Sequence, residues 1–272
     1  MAYILSDRRI FNITRHSLGY RQDILLNPFD IYRLSVGDSL FDGDFLAFRW
    51  LYPKSRNQEL RQVAKITAKR GNLKLLKYLK ERKVYLGANL YAAAAYKGRL
   101  DILKYLKENV KDLWDKYVCD AAASGGHLDC LIYLHENGCP WDEETCISAA
   151  IGGHLNCLIY LHENGCPWNE QTTEKTAQYG HLDCLRYAHE NGCEWDEETC
   201  VQAVANGHID CLIYAHKNGC LWSVWTSKVA AISKHLDCLI YVIEEGCEWD
   251  KDECWLITDH VIRNYLNSKG LC

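Results

Sequence analysis

The sequence repeats itself. GHLDCLIYLHENGC at 126–139 returns as GHLNCLIYLHENGC at 153–166, GHLDCLRYAHENGC at 180–193 and GHIDCLIYAHKNGC at 207–220, each copy 27 residues after the last. KHLDCLIYVIEEGC at 234–247 continues the series, GRLDILKYLKEN at 98–109 and GNLKLLKYLKER at 71–82 extend it backwards, and GDFLAFRWL at 43–51 reads as an eroded copy. Self-similarity at such a period marks stacked supersecondary units, so the chain is expected to fold as an array.

Within a unit, Leu128, Cys130, Leu131, Leu134 and His135 fall at helical spacing on one face, and Gly138 stands where a helix end needs a left-handed residue. The segment before this second helix starts at Asp115, Asp142, Asn169, Asp196, Ser223 and Asp250, a column made wholly of good N-cap residues. It continues through small residues such as Ala149 and Ala150, predicting a first helix of about two turns. A helix that short is marginal alone, so stacking must stabilise it. The expected fold is all-α, a solenoid of helix-turn-helix repeats. Residues 1–57 read as an N-terminal helical cap with a degenerate first repeat, 58–250 as the repeats, and 251–272 as a C-terminal capping helix, in which HVIRNYLNSKG echoes the second helix.

GHLDCLIYLHENGCPWD resembles the ankyrin repeat: a glycine and histidine, a second helix of the EIVKLLLE type, then NGADVN. On that resemblance Cys130 and Leu131 take the aliphatic core pair, Cys139 the alanine, Trp141 the buried valine and Asp142 the asparagine, while Ala149 and Ala150 match the pair ending the first helix. The likeness covers roughly residues 58–255. The unit is about six residues shorter than the usual ankyrin repeat and lacks the TPLH motif, so β-hairpin fingers are not expected. The HENGCPWDEETC signature is most similar to the short ankyrin-like repeats of giant DNA viruses and of amoebae.

The chain has no uninterrupted apolar leader and no run of eighteen apolar residues, which predicts a cytoplasmic or nuclear protein without a membrane span. With no export signal, the fifteen cysteines read as reduced thiols serving as small core residues. Charge is unevenly distributed. Residues 1–118 carry 23 basic and 12 acidic side chains, residues 119–255 carry 6 and 23.

Three columns invite a chemical reading. Cysteines recur at 130, 157, 184, 211 and 238 and again at 139, 166, 193, 220 and 247, and histidines at 127, 154, 181, 208 and 235. Metal and cofactor binding are not expected, since equivalent positions of stacked helices lie about 8–10 Å apart and zinc ligands converge within about 2.3 Å of the ion. The histidines are expected to hydrogen-bond backbone at the turn before the second helix. A second histidine column, His135, His162, His189 and His216, reads as half-buried core. The tryptophan column, Trp114, Trp141, Trp168, Trp195, Trp222 and Trp249, reads as core packing rather than a base-stacking platform, because mostly acidic units carry it and would repel phosphate. GDSL at 37–40 resembles an esterase signature but lacks its α/β context, and neither a P-loop nor a Rossmann fingerprint is present, so no catalytic residue is assigned.

What the ankyrin resemblance implies is a protein partner lying across the first helices and their loops. The outward residues there are Glu143, Glu144 and Ser148, then Gln171, Glu174 and Gln178, then Glu197, Glu198 and Gln202, then Trp225 and Lys228. Acidic first-turn residues also favour the helix macrodipole, whereas Trp225 breaks its column and is a candidate hot spot. Ile132, Ile159, Ile213 and Ile240 occupy a second-helix position where this chain elsewhere has Lys77, Lys104 and Arg186, and they offer a surface for self-association. The basic stretch Lys65, Lys69, Arg70, Lys74, Lys77, Lys80, Arg82 and Lys83 reads as a solvated face, with nucleic acid and membrane disfavoured. The expected function is a non-catalytic interaction scaffold. The alternative is a ubiquitin-ligase substrate adaptor, because LLNPFDIYRLSVGD at 25–38 resembles the latter part of an F-box.

Overall fold

The structure, a computed structural model, describes residues 57–110, 114–252, 257 and 259–272, and among them fifteen α-helices and no strand. They fall into two units. Of the described residues, one holds 57–67 and 72–86; the other holds 68–71 and those from Gly87 to Cys272.

Helix α1, Asn57–Arg70, contributes the buried Val63, Ala64 and Thr67 to the first unit. Helix α2, Leu73–Glu81, contributes Leu75, Leu76 and Leu79. Asn72 caps α2 by accepting from the Leu75 amide at 3.0 Å. Of the basic stretch, Lys65 and Lys80 are half-buried and the remaining six are exposed.

The second unit alternates first and second helices. The first helices are α3 (Asn89–Ala95), α5 (Lys116–Ser124), α7 (Glu143–Gly152), α9 (Glu170–Gln178), α11 (Glu197–Ala205) and α13 (Val224–Ile232). The second helices are α4 (Leu100–Asn109), α6 (Leu128–Glu136), α8 (Leu155–Glu163), α10 (Leu182–Glu190), α12 (Ile209–Lys217) and α14 (Leu236–Glu244). Helix α15, His260–Ser268, follows and buries Ile262 and Leu266 in the core of the last repeats.

Local chemistry places the helix starts. Asp142, Asn169 and Asp196 each accept from the backbone amide two residues on, at 3.2, 3.1 and 3.0 Å, and Ser223 forms a capping box with Thr226. Such caps satisfy amides that a helix start leaves without partners. Second helices end as expected: Asn137 Nδ2 donates to the Tyr133 carbonyl at 2.8 Å, and Gly138 turns the chain at φ +75°.

Closest packing runs along the row of first helices. Ala122, Ala123, Ala149, Ala150 and Ala203 are fully buried there, and side chains this small let neighbouring backbones approach. The second helices supply the larger core residues, among them Leu131, Leu134, Leu158, Leu161 and Leu185. Among the described residues no helix is long and apolar enough to cross a membrane.

Candidate functional site

The chemistry-bearing columns resolve into contacts between successive repeats. His154 Nε2 lies 3.2 Å from the Ser124 carbonyl and His181 Nε2 lies 3.1 Å from that of Ile151, each acceptor belonging to the preceding repeat. The expectation of backbone bonding at the turn thus becomes a bond across the seam. The same rings cover the left-handed glycine of the preceding repeat: a Cβ added at Gly126 would sit 2.5 Å from His154, and one at Gly180 would sit 2.5 Å from His208. The first member, His127, is held below the usual histidine range by burial, with the charges of Arg99 and Lys97 adding to it.

The second histidine column forms a ladder. His135, His162, His189 and His216 place Nδ1 2.9–3.0 Å from the hydroxyls of Tyr160, Tyr187, Tyr214 and Tyr241, the tyrosines of the following repeats. Each imidazole also stacks on the tryptophan six residues ahead, with centroids 3.6–3.9 Å apart. Each tyrosine meets that tryptophan edge-on at 6.1–6.2 Å. Trp114 is buried, but Trp141, Trp168, Trp195, Trp222 and Trp249 are half-buried; an imidazole covers one indole face of the first four of these, whereas Trp249 has Ile243 in the histidine column and donates Nε1 to the Leu271 carbonyl at 3.0 Å. They differ in this from the buried valine the resemblance implied. The tyrosine column escaped the sequence reading, although its 27-residue spacing is as regular as that of the histidines.

Cysteine serves the seams too. Cys139, Cys166, Cys193, Cys220 and Cys247 donate to the carbonyls of Asp115, Asp142, Asn169, Asp196 and Ser223 at 3.0–3.4 Å. A column missed in the sequence, Cys119, Cys146, Thr173, Cys200 and Ser227, stands on the first helices; the neighbouring thiols of Cys139, Cys166 and Cys220, and then burial, push those of Cys119, Cys146 and Cys200 up. Thirteen cysteines among the described residues are free and buried, while Cys272 is disulfide-bonded, against the expectation of reduced thiols throughout. Burial pushes the thiols of Cys130, Cys157 and Cys184 up to about 11, so they stay protonated at neutral pH and are poor nucleophiles and metal ligands. Among the described residues no three His, Cys, Asp or Glu side chains are grouped to hold a metal ion.

The first-helix face carries the candidate binding residues. Glu143, Glu144, Gln171 and Glu197 are exposed, whereas Ser148, Glu174, Gln178, Glu198, Gln202 and Lys228 are half-buried by stacking. Gln202 Nε2 donates to Glu198 at 2.6 Å and Lys175 Nζ to Gln178 at 2.7 Å. Burial, and then the charges of Asp196 and Glu198, hold the Glu174 carboxyl above the usual range. At α13 and the loop before it the character changes: Leu221, in the loop, is 77% exposed, and on the helix Val224 is 40%, Trp225 51% and Ile232 47% exposed. Lys228 Nζ lies 5.0 Å over the Trp225 ring. Val224, Trp225, Lys228 and Ile232 follow helical spacing and share one outward stripe.

Ile132, Ile159, Ile213 and Ile240 are half-buried. At the same second-helix position Lys104 lies over the Tyr133 ring at 5.7 Å and Arg186 over Tyr214 at 5.6 Å, each ring on the next repeat. That position therefore borders a seam as well as solvent. GDSL at 37–40 and the segment 25–38 lie outside the described residues.

A stack of two-helix units with left-handed glycines at the helix ends is a helical repeat fold. Residues 90–135 match the family model described as ankyrin repeats (many copies). Among solved structures the chain is similar to the crystal structure of the human ASB11 ankyrin repeat domain, with a TM-score of 0.50 and 20% identity, covering 58% of this chain and 84% of that one. No curated protein matches the chain. The fold is thus an all-helical ankyrin-like solenoid.

Proposed function

We propose that the protein is a non-catalytic scaffold that binds a protein partner across its first-helix face. One observation carries this reading. The columns that hold Glu198, Gln171 and Glu144 in other repeats hold an exposed Trp225 in α13, with Val224 and Ile232 beside it. An aromatic left half in water is costly to keep on a monomer surface and is the residue type that dominates binding energy. The buried thiols of Cys130, Cys157 and Cys184, held protonated at neutral pH, favour binding over chemistry.

Capture from cell extract by the full chain tests the proposal. Trp225→Ala should lose the captured protein at unchanged far-ultraviolet circular dichroism, and capture that is indifferent to Trp225→Ala removes this face from the reading. A ligase subunit retained only when residues 1–50 are present would favour the adaptor alternative. The thirteen buried free thiols, set against the one disulfide at Cys272, support a reducing compartment, cytoplasm or nucleus, and the HENGCPWDEETC signature supports a viral or amoebal source with a host protein as partner. Ile132, Ile159, Ile213 and Ile240, each half-exposed, support self-association along the second helices.

A further inference from the structure

The apolar stripe on α13 stacks directly beside α11, whose first turn is acidic. Glu197 and Glu198 stand there, with Glu174 on the next helix of the row. Across residues 119–255 only six basic side chains oppose 23 acidic ones. Several of those six are occupied: Lys175 bonds Gln178, Arg186 lies over Tyr214, and Lys228 covers Trp225. A partner seated on Trp225 and extending toward α9 therefore passes from an apolar anchor onto uncompensated negative charge.

We infer that the occupant of this face is a basic polypeptide segment: an apolar side chain seats on Val224, Trp225 and Ile232, and flanking Lys or Arg residues reach Glu198, Glu197 and Glu174. An acidic segment would meet like charge on every repeat from α7 to α11, and a wholly apolar one would leave the carboxylates without partners. Helices of the row lie about 8–10 Å apart, so a segment of about five or six extended residues spans the two steps from α9 to α13.

This inference rests on the scaffold reading, and its test separates the two. The full chain would be titrated with a fluorescein-labelled peptide of Lys and Leu bearing one central Phe. Controls are the same peptide with Glu for every Lys, and one with Ser for Leu and Phe, each measured by anisotropy at low and high salt. The basic, apolar peptide should bind, weaken as salt rises, and lose about tenfold or more in affinity with Trp225→Ala at an unchanged salt slope. Glu174→Gln with Glu198→Gln should instead flatten the salt slope while the Phe contribution persists. Equal binding of the acidic peptide, or indifference of the basic one to both variants, overturns the inference. Trp225-dependent capture of a protein from extract by a chain that binds none of the peptides overturns it too, yet leaves the scaffold reading standing. Salt-sensitive dimers abolished by Trp225→Ala would put a second copy on the face in place of a peptide.

Discussion

Replacing Gly126 by alanine probes the seam between repeats. Its backbone is left-handed, at φ +72°, and an added Cβ would lie 2.5 Å from Nδ1 and Cε1 of His154. The left-handed conformation alone costs an L-residue about 1–2 kcal/mol, and forcing a methyl into a filled space costs about 1–3 kcal/mol, so Gly126→Ala should lose about 2–5 kcal/mol. Gly138 in the same repeat is the internal control: its φ is +75°, but nothing lies within 4 Å of the Cβ position. Gly138→Ala should therefore lose only the conformational part, about 1–2 kcal/mol. His154→Ala removes the ring together with its bond to the Ser124 carbonyl. Combined with Gly126→Ala it should cost less than the two single changes added, by about 1–3 kcal/mol. Urea unfolding followed at 222 nm, with the m value monitored because repeat arrays can lose cooperativity, supplies the numbers. Equal losses for Gly126→Ala and Gly138→Ala, or additive single and double variants, would refute the clamp.

Lys234 takes the same column with φ +65°, and its charge adds to the Ile262 and Val261 amides that hold the Asp259 carboxyl low. Lys234→Gly should relieve the left-handed strain and raise stability by about 0.5–1 kcal/mol; a lower melting temperature would show that the lysine contributes more than its backbone costs. His127 has its pKa depressed in the folded state by burial, so the stability it contributes is complete above the unfolded value of about 6.5 and is lost as pH falls below it. His127→Gln should flatten the melting temperature profile between pH 5 and 7, and an unchanged slope would show that another group governs it. Tyr187→Phe deletes the hydroxyl that meets His162 at 2.9 Å and should cost about 1 kcal/mol, with the edge contact to Trp168 kept; no loss on thermal melting would mean the bond is exchanged for water at no cost. If the isoleucine column drives self-association, Ile159→Lys should lower the mass seen by light scattering, and a monomeric wild type ends that idea.

Helix boundaries, caps and the Leu and Cys core faces were legible in the chain because each depends on residues within a few positions of one another. Asp142 caps the amide of Glu144, and Gly138 turns the chain after Asn137, whatever the rest of the molecule does. The period, multiplied over many copies, also compelled stacking, since helices this short do not stand alone. What the period does not contain is the offset between neighbours. His135 reaches Tyr160 across 25 residues, His154 reaches Ser124 across 30, and Cys139 reaches Asp115 across 24. None of these separations is the repeat length. Each is set by the rise and rotation from one repeat to the next, which follow from how the alanine-lined first helices pack. Tertiary structure likewise supplied the contact of one of two tryptophans three residues apart: Trp222, ahead of the Ser223 cap, lies against His216, while Trp225, in the first turn of α13, stays half-exposed. The sequence by itself determined that the chain is a stack and where its helices begin; only the packed repeats decided which columns are spent holding the stack together.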